Sequence, residues 1–395
     1  MTRTIKTQVG IIGAGPAGLL LGRILQSHGI DTVILERRSR EYVLSRVRAG
    51  VLEQGTVDTL NQYGLGERLA KEGLGIETMQ LRWDHGVHVI PIKDEKGRRL
   101  TTYGQQKIVE DLINAREADG LPLHFETSVE ALDGLEASPL IHFRDVDGEA
   151  GVLECEYVAG CDGFRGVSRG YIPGSQEHSY LKEYPFAWLG VLVHAAPRAD
   201  LRGFTHSTRG LSVASARSKN IGRLYLQVPT DMSADQMSDD EIWNELDLRM
   251  DDGTGHRLNR GQIFERSVAR LRAFVCESMR HGKLCIAGDA AHIVPPSGAK
   301  GLNLAVGDTR VLAEAFRSAI QDNDTSILDN YSEICLRRIW PTVHWSCLMC
   351  EAFHMFPGQT EFDTRMQYQA LSQWADTEIG QIRFRNAQLG LPFQI

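Results

Sequence analysis

The sequence predicts an α/β fold in which a Rossmann-like dinucleotide-binding domain carries an antiparallel sheet and ends in a helical region. Three observations lead to this prediction. Near the N-terminus a glycine motif stands between a short apolar strand and a helix. Residues 78–101 and 122–158 alternate polar and apolar side chains, and residues 183–230 are strand-like with Gly, Ser and Thr turns. From about residue 325 the pattern is mostly helical.

The first elements form a βαβ unit, which implies a parallel sheet covered by helices. Residues 7–12 are predicted as a buried strand, 17–29 as a helix ending at Gly29, and 32–36 as the next strand. The later predictions, in chain order, are helix 51–72, helix 105–118, helix 239–250, strand 283–287 and a helix from about 298 to 321.

Composition limits the class of protein. The 395 residues suffice for two or three domains, and 43 Lys and Arg against 51 Asp and Glu give a net charge of −8. An acidic total argues against a nucleic-acid partner, and no apolar run reaches the roughly 18 residues that a membrane span needs. Seven irregularly spaced cysteines predict no disulfide framework and a cytoplasmic location. Cys347 and Cys350 form a C-x-x-C, interpreted as structural thiols with a redox or metal role as the alternative.

Residues Gly13 to Gly18 (GAGPAG) form a G-x-G-x-x-G motif between the first strand and the first helix. Gly13 permits the tight turn, Gly15 lets a pyrophosphate approach the backbone, and Gly18 lets the helix pack closely. The helix N-terminus then presents unpaired N–H groups to the phosphates. Glu36 ends the second strand, where a carboxylate accepts from ribose hydroxyls. The motif predicts a bound dinucleotide without choosing between FAD and NAD.

Two further motifs follow strands. Cys161-Asp162-Gly163 follows EYVAG, and Gly288-Asp289 opens the segment GDAAH after residues 284–287. Each alone is compatible with an Asx-turn. In this order behind the first motif, the three resemble flavoprotein aromatic monooxygenases that use one tightly bound FAD.

Longer segments narrow the resemblance. These are RVRAGVLEQ at 46–54, YGQ at 103–105, GDAAHIVPPSGAKGLNL at 288–304, ICLRRIW at 334–340 and GLP at 390–392. Together they resemble the 4-hydroxybenzoate 3-hydroxylase family, and the match runs collinearly over almost the whole chain. The resemblance implies an NADPH-reduced, non-covalently bound FAD that reacts with O2 to a C4a-hydroperoxide and hydroxylates a para-substituted benzoate ortho to its donor group.

The resemblance also implies a domain organisation. We expect an FAD-binding domain from 1–74, 101–180 and 268–324, a substrate-binding sheet domain from 75–100 and 181–267, and a C-terminal helical and interface region from 325–395. The family is typically dimeric, and the C-terminal region offers apolar side chains to bury, with an intramolecular core as the alternative. These side chains are Trp340, Trp345, Met349, Phe353 and Phe356.

FAD contacts are carried over position by position from the family's motifs. Asp289 is expected to accept from ribityl hydroxyls, and the helix starting near Ser297 and Gly298 to direct its positive end at the flavin pyrimidine edge. The expected FAD-binding residues are Gly13, Gly15, Ala17, Gly18, Glu36, Arg37, Arg46, Arg48, Gln105, Asp162, Asp289, Gly298, Gly301, Leu302 and Asn303.

Five arginines, at 37, 38, 40, 46 and 48, stand within twelve residues. A solvated basic face is the plain interpretation. The resemblance instead assigns Arg48 to the FAD pyrophosphate and residues 37–42 to the 2′-phosphate of NADPH, because guanidinium pairs with phosphate in bidentate geometry. The expected NADPH-binding residues are Arg38, Arg48, Arg165 and Arg272.

The family's substrate-pocket residues match this chain less completely than its FAD-binding motifs do. Ser215, Arg217 and Tyr225 match the residues that bind the benzoate carboxylate, which needs a partner when buried. Other matches are Arg223 near the moving flavin, Pro296 with its carbonyl beside the substrate ring, and Ser297, where the family has Thr.

At the opposite end of the pocket the chain departs from the family. Phe204 and Gln388 replace two tyrosines that bind the 4-hydroxyl and relay its proton, and the relay histidine is missing from residues 73–76. Phe donates no hydrogen bond and Gln does not titrate usefully. An amino group activates a ring without deprotonation, so an amino- or amino-hydroxybenzoate, such as 3-amino-4-hydroxybenzoate hydroxylated at position 2, is the alternative substrate. Other-class alternatives are a non-oxygenating flavoprotein and a flavin-binding protein, although no tryptophan lies in the halogenase motif W-x-W-x-I-P.

Overall fold

The computed structural model describes residues 3–46, 50–198, 201–253 and 257–393. In the first half the elements are β1 (Arg3–Lys6), β2 (Val9–Ile12), α1 (Pro16–Ser27), β3 (Thr32–Leu35), α2 (Arg40–Ser45), β4 (Val51–Leu52), α3 (Gln54–Gln62), α4 (Gly66–Glu72), β5 (Leu74–Ile76), β6 (Thr78–Trp83), β7 (Gly86–Pro91), β8 (Leu100–Thr102), α5 (Gln105–Ala118), β9 (Leu123–His124), β10 (Ser128–Asp133), β11 (Leu140–Arg144), β12 (Ala150–Glu154) and β13 (Tyr157–Gly160). In the second half they are β14 (Ser179–Val193), β15 (Gly203–Thr205), β16 (Ser212–Ala216), β17 (Gly222–Val228), α6 (Asp239–Arg249), β18 (Ile263–Cys276), β19 (Arg280–His281), β20 (Leu284–Ile286), β21 (His292–Ile293), α7 (Gly301–Arg317), α8 (Ser326–Asp329), α9 (Tyr331–Phe353), α10 (Glu361–Ala375) and α11 (Glu378–Leu389). The predicted α/β fold class is confirmed.

A six-stranded sheet of order β19-β20-β13-β2-β3-β9 forms the centre of the dinucleotide-binding part. Its strands run parallel except β19, which pairs antiparallel with β20. All four residues of β2 are buried, as expected for a strand covered by helices on both faces. Helix α1 packs against both α5 and α7. The first turn of α1 and the loops after β13 and β20 therefore meet at one edge of this sheet.

An eight-stranded sheet of order β21-β18-β14-β17-β16-β15-β6-β7 lies beside it and is antiparallel except for the β15–β6 pair. One face packs on α6 through a cluster that includes Leu226, Trp243 and Leu246. The other face packs on the C-terminal helices through a cluster that includes Trp188 and Phe353. We call this second face the helix-covered face. The long strands β14 and β18 each continue past a predicted domain boundary, and the division into domains stays a prediction.

Three element predictions were wrong in part. The helix predicted over 51–72 is the strand β4 followed by two helices, because Gly64 adopts a left-handed φ of +77° between them. In the segment 122–158 only β10, β11 and β12 pair antiparallel, whereas β9 and β13 join the parallel sheet. The helix predicted from 298 starts at Gly301, after a 3-10 turn and a left-handed Ala299 with φ +53°.

The C-terminal helices close over the helix-covered face. Trp345, Met349 and Phe353 are buried there, and Trp345 contacts Trp374 and Phe384. The expectation that they supply apolar surface for a partner was therefore wrong, because they form an intramolecular core. Trp340 is partly exposed and Phe356 half-buried.

All seven cysteines are free thiols, consistent with the prediction of no disulfide framework. Burial raises the pKa of Cys350 to about 12, so this thiol stays protonated. Among the described residues, no cluster of three His, Cys, Asp or Glu side chains is arranged to hold a metal ion. In the same part of the chain, no helix combines the length and the apolarity that crossing a bilayer requires.

Candidate FAD and substrate site

The glycine loop before α1 is closed on its protein side and open on the other. A Cβ on Gly13, whose φ is +104°, would lie 2.5 Å from the carbonyl oxygen of Cys161, and one on Gly18 would collide with the carbonyl of Gly13. A Cβ on Gly15 would meet no atom within 4 Å. The open side of Gly15 also faces the unpaired N–H groups that begin α1. A pyrophosphate fits this cradle in shape and charge.

Glu36 braces the same loop. One carboxylate oxygen accepts the Ala14 N–H at 2.8 Å, and the other accepts the Arg38 N–H at 2.8 Å. Each oxygen keeps a further lone pair, because a carboxylate has about four acceptor positions. Glu36 is thus held in a fixed orientation in which it can still accept from a ribose hydroxyl.

Asp162 follows β13 on the neighbouring strand. Its Oδ2 accepts from the Ser168 N–H at 2.9 Å and from the Ser168 hydroxyl at 2.8 Å. Its Oδ1 is buried and has no hydrogen-bond partner among the described residues, and burial raises the pKa of this carboxyl group. A buried acceptor beside the glycine loop is suited to a hydroxyl group of the bound dinucleotide.

The start of α7 is held rigidly against the strand β4. Asn303 accepts the Glu53 N–H at 2.9 Å and the Thr56 hydroxyl at 2.8 Å, and it donates to the carbonyls of Val51 and Ala299. The Asn303 side chain is therefore fully occupied and acts as a brace. Of the other expected contacts here, Gly301 has space around it, since its nearest neighbour to an added Cβ is Val294 at 3.8 Å, and Leu302 is half-buried.

The arginine-rich segment is organised around Tyr42. The guanidinium of Arg38 lies 5.0 Å from the ring centre, and that of Arg46 lies 5.5 Å from it while donating to the Tyr42 hydroxyl at 2.9 Å. Arg40 instead pairs with Glu117 at 3.0 Å, which ties α2 to α5. Arg37 is exposed, and Arg48 lies outside the described residues. Two cations are thus stacked on one exposed ring.

The two remaining NADPH candidates, Arg165 and Arg272, differ in their surroundings. Arg272 stacks over Phe164 with its guanidinium 4.4 Å from the ring centre, whereas Arg165 is exposed. Arg169 also lies against Phe164 and donates to the carbonyl of Ala290 at 2.9 Å. The segment after Asp162 is thereby joined to the loop after β20, and the structure brings the second and third motifs together.

The strand register places the substrate-binding candidates on one face of the eight-stranded sheet. Phe204 is paired with Val213, Val213 with Tyr225, and Ser215 with Arg223, so all of these side chains lie on the helix-covered face. Phe204 contacts Phe353 of α9 with ring centres 5.4 Å apart. Phe204 and Phe353 together form an aromatic contact between the sheet and the C-terminal helices.

Arg217 lies just beyond the end of β16 and reaches the first turn of α5. A Cβ on Gly104 would lie 2.6 Å from its Nη2, and the same nitrogen donates to the Gln106 side chain. Burial lowers the pKa of Arg217 to about 10, so the guanidinium remains charged at neutral pH. The expected carboxylate ligand and the expected FAD contact Gln105 thus lie at the same junction.

Comparison with known proteins identifies this arrangement. Residues 6–346 match a family model described as an FAD binding domain. Over 396 aligned residues the chain is 41% identical to a p-hydroxybenzoate hydroxylase of Acinetobacter baylyi, covering 100% of this chain and 97% of that protein. The chain belongs to the p-hydroxybenzoate hydroxylase family. It is a flavin-dependent aromatic monooxygenase that uses non-covalent FAD and NAD(P)H as reductant.

More distant proteins are similar in sequence or in structure. A probable NADH-specific resorcinol 4-hydroxylase of Rhodococcus jostii is 23% identical over 82% of this chain and 61% of its own length. The crystal structure of p-nitrophenol 4-monooxygenase from Pseudomonas putida superposes with a TM-score of 0.79 at 20% identity, covering 99% of this chain and 100% of that one.

Within this hydroxylase, the hydroxyl groups of Ser215 and Tyr225 already take part in hydrogen bonds. Ser215 donates to the carbonyl of Arg223 at 3.0 Å, and Arg223 donates from Nε to the hydroxyl of Tyr225. Tyr225 still has its own proton to donate. Ser297, which follows Pro296 in the 3-10 turn, is bonded to α9 through the carbonyl of Ser346 at 3.1 Å.

A buried charge network that the sequence did not predict supports the start of α7. Lys300 donates to Glu53 at 2.8 Å and to the carbonyl of Gln388 at 2.6 Å, and Arg338 donates to the other oxygen of Glu53 at 2.7 Å. Burial lowers the pKa of Lys300, although Glu53 opposes this effect. The network joins β4, α7, α9 and α11, whose residues are too far apart in sequence to signal the contact.

Proposed function

We propose that this hydroxylase acts on a benzoate with an electron-donating para substituent and hydroxylates the ring carbon ortho to that substituent. The observation that carries the proposal is the placement of the half-buried Arg217 near Tyr225, a residue that lies with Phe204 and Val213 on the helix-covered face. A buried guanidinium is stabilised by an anionic partner, and a carboxylate matches its fork geometry. The name of the Acinetobacter relative, a p-hydroxybenzoate hydroxylase, supports the same substrate class.

The residues of the chain position the substrate and exclude water. Arg217 would fix the carboxylate end, with the hydroxyl of Tyr225 as a second donor. Phe204 and Phe353 would cover the opposite end of the ring and keep it dry. Bound FAD supplies hydride acceptance from the reduced nicotinamide and activation of O2.

We infer that NADPH is the preferred reductant. The guanidinium groups of Arg38 and Arg46 both lie over the ring of the exposed Tyr42, with no carboxylate hydrogen-bonded to either guanidinium among the described residues. Such a pair is suited to a phosphate monoester. Comparing kcat/KM for NADPH and NADH in wild type and Arg38→Gln tests this point, because only the NADPH value should fall in the variant.

A second candidate substrate is an amino- or amino-hydroxybenzoate, and 3-amino-4-hydroxybenzoate is the example to test. Gln388 is 2% exposed, and its Nε2 has no partner among the described residues. The histidines of this region are poor bases, because burial lowers the pKa of His206 and lowers that of His354 to about 3. A ring activated by an amino group needs no base to become reactive.

A panel of hydroxy-, amino- and amino-hydroxybenzoates tests both candidates. Oxidation of NADPH and the mass of the product are measured for each compound with the FAD-loaded protein. Hydroxylated products from para-substituted benzoates support the main proposal, and a preference for amino compounds supports the second candidate. Efficient hydroxylation of phenols that lack a carboxylate, with none of the benzoates converted, would overturn both.

We also infer a homodimer, formed through the C-terminal helices. Phe362 and Met366 of α10 are 71% and 54% exposed, and Ile379 of α11 is 66% exposed. Large apolar side chains grouped on adjacent helices are typical of protein interfaces. Light scattering should give twice the chain mass for wild type and a monomer for Phe362→Asp combined with Met366→Asp, and a monomeric wild type would overturn the inference.

The seven free thiols favour a reducing, cytoplasmic location.

A further inference from the structure

The loop from Gly288 to His292 lies between two helices that contribute to the FAD site. A Cβ on Gly288, whose φ is +63°, would lie 3.2 Å from the Cβ of Ala17 in α1 and 3.5 Å from that of Ala305 in α7. The Ala291 N–H donates to the Gly288 carbonyl at 2.8 Å and closes the turn. Asp289 follows Gly288 within this turn, so its position depends on how the two ends of the loop are held.

One carboxylate oxygen holds both ends. Oδ2 of Asp308, in the middle of α7, accepts the Gly288 N–H at 2.9 Å and the Nε2–H of His292 at 2.6 Å. The side chains of His292 and Asp308 are 1% and 3% exposed. The bond to a carboxylate requires that Nε2 of His292 carry the proton. Asp308 therefore connects the loop before and after Asp289 to the helix that starts at the flavin end of the site.

Packing alone does not explain this pair. Although burial opposes charge on the imidazole, the Asp308 carboxylate raises the pKa of His292. The Nδ1 of His292 is buried and finds no partner in the described part of the chain, which is unfavourable in free energy. An apolar pair of similar volume often stabilises a core as well or better. The hydrogen bonds of His292 and Asp308 instead hold the Gly288–His292 loop in one orientation.

We propose that His292 and Asp308 are positioning residues for FAD, which hold the Gly288–His292 loop so that Asp289 meets the ribityl hydroxyls. The proposal rests on the expected contact between Asp289 and the ribityl chain and is independent of the aromatic substrate. At metal sites, a carboxylate that accepts a hydrogen bond from a histidine fixes the orientation of the binding group. The hydrogen bond between His292 and Asp308 would orient the loop in the same way.

The test measures FAD binding to the apoprotein in the variants His292→Gln and Asp308→Asn. Loss of a charge-assisted buried hydrogen bond should weaken FAD binding about 10-fold to 100-fold. The double variant should lose less than the two single losses combined, because both act through one oxygen. Asp308→Asn keeps an acceptor for Gly288 and is the variant expected to fold if His292→Gln does not.

Tyr331→Phe is the matched control. Its hydroxyl donates to the carbonyl of Ile286 at 3.0 Å, so the substitution removes a buried hydrogen bond from the strand that precedes the loop. The apoprotein melting temperature should fall in this control while FAD affinity is unchanged. FAD affinities of the His292 and Asp308 variants equal to wild type would overturn the proposal. So would a loss of affinity in the control that matches theirs.

Discussion

Arg217 packs against Gly104 at the start of α5, so closely that a Cβ on Gly104 would lie 2.6 Å from the guanidinium Nη2. The glycine therefore leaves the space that Arg217 occupies. It also precedes Gln105, one of the expected FAD contacts, so the proposed substrate and cofactor sites would meet where Arg217 reaches α5.

This contact predicts the effect of Gly104→Ala. The φ of Gly104 is −58°, which alanine adopts freely, and the clash is with the end of a flexible side chain, so the protein should fold. Displacing the guanidinium should raise the KM for the benzoate about 10-fold to 100-fold. Steady-state kinetics measure this change, with Gly170→Ala, where an added Cβ meets nothing within 4 Å, as the control. Equal KM values in both variants would show that Arg217 does not bind the carboxylate.

Arg217→Lys keeps the charge and removes the planar fork. Because one bidentate pair becomes a single contact, kcat/KM for benzoates should fall about 10-fold to 100-fold. Arg209→Lys, which changes an exposed arginine paired with Glu245, should leave the same kinetics unchanged. A substrate without a carboxylate should be affected equally little by both substitutions, and an Arg217-specific loss with such a substrate would contradict the assignment.

The double variant Phe204→Tyr with Gln388→Tyr places phenol groups where the family has its proton relay. Turnover of 4-hydroxybenzoate should rise about 10-fold or more, because positioned acid–base groups typically contribute at least that much. Turnover of an aminobenzoate should change little. Phe356→Tyr adds a hydroxyl elsewhere in the same apolar cluster and serves as the control. The explanation fails if wild type already converts 4-hydroxybenzoate best and the double variant does not improve it.

His354 predicts a pH dependence of stability. It accepts from the Trp188 indole N–H at 2.7 Å and lies stacked on Phe186, and burial lowers its pKa from 6.5 to about 3. The unfolded chain binds a proton below about pH 6.5 while the folded chain does not, so stability falls as the pH falls from 6.5 towards 3. The difference in unfolding free energy between wild type and His354→Gln should shrink by about 1.5 kcal/mol between about pH 6.5 and 5. Urea unfolding at several pH values measures it, and a constant difference would contradict the low pKa.

Glu53→Gln should be strongly destabilising. The substitution leaves the buried cations Lys300 and Arg338 without their shared carboxylate, a change that typically costs about 3–5 kcal/mol. Glu67→Gln breaks the exposed, solvent-screened pair with Lys71 and should change the stability far less. Thermal unfolding of both variants is the measurement, and similar losses in the two would show that the buried network contributes no more than a surface pair.

Much of the fold could be predicted because its signals are local. Helix α5 has its predicted bounds, and α1 starts and ends within two residues of the prediction, since glycine and proline mark both helices' ends. Parallel and antiparallel strands of similar pattern cannot be told apart locally, which is why the alternating segment 122–158 suggested antiparallel strands although β9 and β13 pair in parallel.

The site could be predicted only where motifs carry it. The glycine loop and Glu36 were found from their spacing and Asp162 from the family resemblance, but the contacts of Glu53 with Lys300 and Arg338 span 247 and 285 residues. Asp308 does not belong to a recognisable motif. Only its position among the apolar residues of α7 could have indicated that this carboxylate is buried. The pairing of His292 with Asp308 depends on tertiary packing that one sequence does not encode locally.

The most direct measurement follows heavy-isotope O2 into the product. FAD-loaded protein, NADPH and each para-substituted benzoate are incubated under isotopically heavy O2, and the product is identified by mass and by the ring position that carries oxygen. We predict one heavy oxygen atom on the carbon ortho to the donor substituent of a benzoate that retains its carboxylate. NADPH oxidation without any labelled benzoate product, or a label only in compounds without a carboxylate, would contradict the proposed function.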